Sequence, residues 1–200
     1  LFTCKRLFVQ RRVAKKIKPD EAATIDGAAL EAELTTLIGD FTQLNFATPV
    51  MGWLDDEDAN TDNIDLASRY AGWALHTDAG KARHTDDILF RAPEKTDPLH
   101  LVETDHVSDH GVDMLCLDAD KQIPRDGFAL TDHGCDLTGA LDQANYCVIC
   151  HDRGKDSCSK GIRDKQTSAI TSNDHGVPLA GCPLEEKISE MHKAKNDGHA

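Results

Sequence analysis

Seven cysteines stand in the 200-residue chain, and four of them crowd between positions 147 and 182. They fall on Cys147-Val-Ile-Cys150-His151, then Cys158, then Cys182-Pro183, which is a C-x2-C-x7-C-x23-C-P spacing. Soft thiolates at C-x2-C spacing grip one metal centre from a single turn of chain. An odd count with no secretory leader does not fit a disulfide framework, and in a chain expected to be cytoplasmic such a cluster points to metal.

Three chemistries compete for these residues. Four thiolates suit a 4Fe-4S cluster, and a Cys-Pro at the end of the run is a ferredoxin feature. The segment 151–165 holds Arg153, Lys155, Lys160, Arg163 and Lys165 against Asp152, Asp156 and Asp164, a local excess of positive charge that offsets an anionic centre. Proline after Cys182 places that thiolate beside an expected helix N-terminus, where negative charge is favoured. Zinc is the alternative: the same four cysteines, or three of them with His151, close a tetrahedral site, although the C-x7-C step is not typical of a zinc ribbon. Cys147-x-x-Cys150-His151 is also the attachment pattern of a c-type haem, with Met191 as an imaginable axial ligand, but this leaves Cys158 and Cys182 unexplained. A catalytic cysteine–histidine pair is weaker still. Cys4 and Cys135 are read as unliganded, and Cys116 as a small core residue in an apolar strand. His100, His106 and His110, with Asp105 and Asp109, are read as solvated loop rather than a metal site. The sequence holds no glycine-rich phosphate loop, dinucleotide fingerprint or nucleophile elbow.

Charge restricts the partners. The net charge of −13 argues against general nucleic-acid binding, and no apolar run approaches the length of a membrane span. The charge is uneven: residues 1–18 carry Lys5, Arg6, Arg11, Arg12, Lys15, Lys16 and Lys18 and no acid, while the remainder holds 15 bases against 35 acids. The first helix is expected to dock onto the acidic remainder of the chain or onto a neighbouring domain rather than to bind RNA or an anionic membrane.

The pattern predicts a mainly α protein in three regions: helical 1–76, loop-rich 77–134 with short strands, and cysteine-rich 135–200. Helices are expected over 1–18, from the N-cap Asp26 to the C-cap Gly39, over about 41–54 with a break or kink at Pro49, and over 62–76. Tyr70 and Trp73 read as core. Ile88-Leu89-Phe90, Leu99–Val102 and Val112–Leu117 read as short strands of a small antiparallel sheet. Asp136 is expected to cap a helix reaching Tyr146, residues 159–181 to form a polar linker, and Pro183 to open a last helix stopped by Gly198.

Several segments resemble one large bacterial family. Asp126-Gly-Phe-Ala-Leu-Thr-Asp132, Asp142-Gln-Ala-Asn-Tyr-Cys147, Gly154-Lys-Asp-Ser-Cys158-Ser-Lys-Gly161 and Gly176-Val-Pro-Leu-Ala-Gly-Cys-Pro-Leu-Glu-Glu-Lys-Ile-Ser-Glu-Met191 are similar to FAD-dependent pyridine-nucleotide oxidoreductases related to the glutamate synthase small subunit. Lys5-Arg-Leu-Phe-Val-Gln-Arg-Arg12 resembles the N-terminal region of that family. The resemblance implies that Cys147, Cys150, Cys158 and Cys182 bind a 4Fe-4S cluster. It also implies electron transfer to or from a downstream flavin domain carrying FAD and binding NAD(P), and a possible redox partner subunit. The chain opens on Leu1 and lacks the second cysteine group and the G-x-G-x-x-G that the family carries, so it is expected to be part of a longer oxidoreductase with no catalytic residue of its own. The roughly 77–123 stretch is the least family-like and is expected to be an insertion.

Overall fold

The computed structural model describes residues 1–92, 97–102, 104–147, 149–154 and 156–199, without the side chains of His151 and Arg153. About 48% of the chain is helical, and one antiparallel strand pair is present among the described residues. The chain divides into two compact units: Leu1–Glu94 with Cys135–Tyr146, and Lys95–Gly134 with Cys147–Ala200. The helix expected at the head of the cysteine-rich region thus groups with the first unit.

The first unit is a helical bundle. Helix α1 runs unbroken through Phe2–Cys4, a π-wound stretch Lys5–Val13, and Ala14–Lys16. Ile17 turns extended, and Pro19 opens the short α2, Pro19–Ala22, at a position where its missing N–H costs nothing. Helix α3, Gly27–Ile38, starts as expected, with the Asp26 side chain accepting from the Ala29 amide at 3.1 Å, and stops at Gly39 with φ +80°. Helix α4, Gln43–Asp55, is capped by Thr42 and absorbs Pro49 without breaking. Helices α5, Thr61–His76, and α6, Asp78–Arg83, follow, with Thr77 ending one and capping the other.

The apolar faces of these helices meet in one core that includes Phe8, Val9, Val13, Leu34, Phe46, Val50 and Tyr70, all fully buried. Ile88-Leu89-Phe90 was expected as a strand and is instead a buried turn capping this core. Its backbone is satisfied by a side chain rather than a neighbouring strand: the Gln43 carboxamide oxygen accepts from the Ile88 and Leu89 amides at 2.8 and 2.9 Å. The basic first helix docks internally in part. Lys5, 1% exposed, donates to the Ile88 carbonyl at 2.6 Å and pairs with Asp142, and Arg12 pairs with Glu57 at 2.9 Å. Asp142 lies on α7, Leu137–Ala144, whose N-cap Asp136 accepts from the Gly139 amide at 2.7 Å.

In the second unit, strand β1, Asp105–Asp109, pairs with β2, Val112–Cys116, through a two-residue turn at His110 and Gly111, both with positive φ. Leu99–Val102 does not pair: it forms a turn and a bend, with Leu101 and Val102 exposed. Cys116, expected in the core, is half-buried at the end of β2, and Cys4 is the cysteine that the core encloses. Helices α8, Ser157–Lys160, and α9, Ile188–Asn196, complete the unit. Pro183 therefore does not open the last helix. A turn intervenes in which the Glu185 amide donates to the Cys182 carbonyl at 3.2 Å.

Candidate metal centre

The 23 residues between Cys158 and Cys182 are not a slack linker. They fold as a three-segment antiparallel meander that sends the chain back to its starting point. Thr171 N–H donates to Ile162 O at 3.0 Å, Leu179 N–H to Thr171 O at 2.8 Å, and Ile162 N–H to Leu179 O at 2.9 Å, so each segment pairs with the other two. Residue pairs Arg163/Ile170 and Ser172/Pro178 bridge within it. Both reversals are built by short side chains bonding their own backbone. The Asp164 carboxylate accepts from the amides of Gln166 and Thr167 at 2.9 and 2.7 Å, and these donors hold it below the usual carboxylate range. The Asn173 carboxamide oxygen accepts from the amides of His175 and Val177 at 3.1 and 3.0 Å.

At the mouth of the meander the two strands leave no room for a side chain. A Cβ at Gly161, φ +76°, would lie 2.3 Å from the Leu179 carbonyl oxygen, and one at Gly181, φ +89°, 2.5 Å from that of Ser159. Only glycine meets both the close approach and the left-handed backbone. With the strands this close, the Cys182 amide donates to the Cys158 carbonyl at 3.1 Å, so residues 24 positions apart in sequence become backbone neighbours.

The first cysteine pair has its own local geometry. Ile149 adopts φ +50°, unusual for a β-branched residue, and donates its N–H to Cys147 Sγ at 3.4 Å. A 3₁₀ turn over Cys150–Arg153 follows. The Cys158 thiol is raised above its ordinary value, first by partial burial and then by the negative charge of Cys150, Asp156 and Cys147. Asp156 braces the segment: it caps α8 through the Ser159 amide and accepts from Ser159 Oγ at 2.7 Å and from the buried Ser189 Oγ at 2.6 Å on α9. Lys193 adds a 3.2 Å bond to Asp152.

All four cysteines are free thiols. Their donor chemistry fits a soft metal. No three His, Cys, Asp or Glu side chains among the described residues converge to hold a single ion. A tetrahedral zinc with Zn–S of about 2.3 Å needs its sulfurs about 3.8 Å apart, whereas an iron–sulfur cubane holds its thiolates further apart. The side chain of His151, the alternative zinc ligand, and those of Arg153 and Lys155 in the expected basic patch lie outside the described residues. His100 bonds Asp97 at 2.7 Å and Asp174 at 3.2 Å, and His110 bonds Asp109, so these histidines pair with carboxylates as loop residues. Sequence reasoning missed Asp156, Ile149, Gly161 and Gly181 as shapers of the site. The turn-forming Asp164 and Asn173 beside Ile170-Thr171-Ser172 and Val177-Pro-Leu179 are the signal that reveals the meander.

A second polar cluster lies in the helical unit. Tyr70 Oη donates to Glu31 at 2.8 Å and lies 2.9 Å from His84 Nε2. His84 Nδ1 lies 2.5 Å from Asp87, and Arg83 holds Glu31 at 2.8 Å. The geometry is that of a Tyr–His–Asp relay, but Phe41, Phe90 and Trp73 enclose it and both Tyr70 and His84 are buried, so it braces the core rather than meeting a substrate.

Uncharacterized protein RP005 of Rickettsia prowazekii (strain Madrid E) is 31% identical over 209 residues, spanning 98% of this chain and 68% of the relative. The chain belongs to the RP005 family. No family model matches the sequence, and no solved structure matches it. Because the similarity to the RP005 family runs over nearly the whole chain, it takes in the helical bundle as well as the cysteine-bearing unit.

Proposed function

We propose that Cys147, Cys150, Cys158 and Cys182 bind a 4Fe-4S cluster, and that the chain is the electron-transfer region of a bacterial, cytoplasmic oxidoreductase. Its flavin domain, with FAD and an NAD(P) site, would lie elsewhere in the protein. The observation that carries this reading is the meander that returns Cys182 to the backbone of Cys158, with Cys147 and Cys150 among the charges that raise the Cys158 thiol. Such a cluster, when bound, supplies single-electron transfer at a potential set by its surroundings.

The chain's own residues would do the rest. The four thiolates hold the group. The Ile149 N–H aimed at Cys147 Sγ would stabilise negative charge on that sulfur. Lys160, Arg163 and Lys165 offset the anionic charge. No residue here is assigned a catalytic role. The partners on this reading are the flavin domain of the same protein and a redox partner subunit, with no nucleic acid. Among the described residues no helix is long and apolar enough to cross a membrane.

Anaerobic reconstitution with ferrous iron and sulfide tests the reading. The expected result is a broad visible charge-transfer absorbance, bleached on reduction with appearance of an electron paramagnetic resonance signal. Uptake of zinc alone, with neither iron nor sulfide incorporated, overturns it in favour of a structural interaction module.

A further inference from the structure

The two units differ in what holds them together. The helical unit has a core of nineteen buried apolar residues between Cys4 and Phe90. In the second unit Ile149 is the one buried large hydrophobic among the described residues. Many of its other large apolar side chains face solvent, among them Ile123 at 73% exposed, Phe128 at 100%, Leu130 at 79% and Leu184 at 76%, while Leu115, Ile162, Leu179 and Ile188 are half-buried. Both strands of the hairpin are largely exposed on both faces, and an isolated two-stranded hairpin is marginal in water. Ordering a chain costs conformational entropy at every residue, and a unit that buries this little apolar surface has only a small hydrophobic term to offset it. Small units that cannot build a core are held by disulfides or by metal. No disulfide is present, and distant segments close tightly at the junction of Cys158 and Cys182, where Gly161 and Gly181 leave no room for a side chain.

We infer that loading of the four thiols, rather than an apolar core, orders the cysteine-bearing unit, so that the meander between Cys158 and Cys182 forms and melts with its metal. This rests on the reading above and extends it from what the site carries to what the site controls. The junction glycines and Asp156 shape the closed form, and the thiolate–metal bonds would supply the favourable term that burial does not. The helical unit, with its own core, would be indifferent to loading.

Hydrogen–deuterium exchange on the full chain decides the matter, comparing chelator-treated protein, protein reconstituted anaerobically with iron and sulfide, and protein given zinc. The amides of Ile162, Thr171, Leu179 and Cys182 are expected to exchange at least about tenfold more slowly once loaded, with residues 1–92 unchanged. The Cys182→Ser variant is expected to keep the fast exchange in the presence of iron and sulfide. Uptake of iron or zinc with no change at these four amides overturns this inference and leaves the assignment of the ligands standing. Equal protection in the chelated protein overturns it as well. Failure to take up iron, sulfide or zinc overturns both.

Discussion

Tyr70→Phe isolates the buried polar cluster of the helical unit. The substitution removes one oxygen and no carbon, so the ring contacts with Phe41, Phe90 and Trp73 are retained and little cavity is created. The loss is chemical. Tyr70 is fully buried, and its hydroxyl is the link between the Glu31 carboxylate at 2.8 Å and His84 Nε2 at 2.9 Å. Its phenol is pushed above the ordinary range, first by burial and then by the bond to Glu31, so it remains a donor at any working pH. Glu31 keeps its bonds from Arg83, one to each oxygen at 3.3 and 2.8 Å, so neither oxygen is left without a partner. His84 is 4% exposed and loses its only Nε2 partner in the cluster. A hydrogen bond to a charged group contributes about 1.5–3 kcal/mol, and a buried orphan costs about 1–3 kcal/mol, with the two overlapping rather than adding. The expected destabilisation is about 2 kcal/mol, which for a unit of this size lowers Tm on the order of 10 °C. Thermal and urea unfolding of the full chain, followed by circular dichroism at the helix band, gives the number. A Tyr70→Phe, Glu31→Gln double-mutant cycle separates the Tyr70–Glu31 coupling from the rest. A loss below about 0.5 kcal/mol with no coupling to Glu31 would mean that the hydroxyl is not bonded inside the core, and the reasoning fails.

Other outcomes follow from single residues. Gln10, 6% exposed, has neither carboxamide atom bonded among the described residues, so Gln10→Leu is expected to raise stability by about 1 kcal/mol in urea titrations, and a decrease refutes the reading of Gln10 as an unpaired core group. His84 has its pKa lowered below 6.5, first by burial and against the pull of Asp87. The unfolded chain therefore binds more protons just below pH 6.5, and stability that is complete above that pH is lost as pH falls. His84→Gln should flatten that slope, while the part due to His76, shifted the same way by its own burial, remains. The Cys4 thiol is pushed up to about 12 by burial, so at mildly alkaline pH it should resist iodoacetamide in the native chain while exposed Cys135 is alkylated. Mass spectrometry showing Cys4 labelled as fast as Cys135 would contradict its place in the core.

Much of the helical unit was legible because its signals are local. Asp26 and Gly39 bracket α3, and Asp136 starts α7, through side-chain and backbone chemistry that needs no distant partner. The misreadings share one cause. Ile88-Leu89-Phe90 looks like a buried strand because a short apolar run carries no period, and only the Gln43 carboxamide, 45 positions away, lets it turn instead. The pairing strand β1 is Asp-His-Val-Ser-Asp, too polar to register, while apolar Leu99–Val102 beside it stays unpaired. The cysteine site divides the same way. The spacing suggests a grouping of four cysteines, but the route that joins Cys158 to Cys182 depends on three mutually paired segments whose composition reads as a linker.

The helical unit is written in two pieces, and this sets an order of assembly during synthesis. Lys5 and Asp142 are 137 positions apart, so a nascent chain carries the Lys5 ammonium, facing the Ile88 carbonyl, through that much further synthesis before its carboxylate partner exists. N-terminal domains commonly fold as they emerge. Here closure of the first unit waits for Cys135–Tyr146, and the residue that follows is Cys147. The bundle is therefore complete at the moment the first of the four clustered thiols leaves the ribosome, and thirty-five residues remain before the last, Cys182, can close the meander.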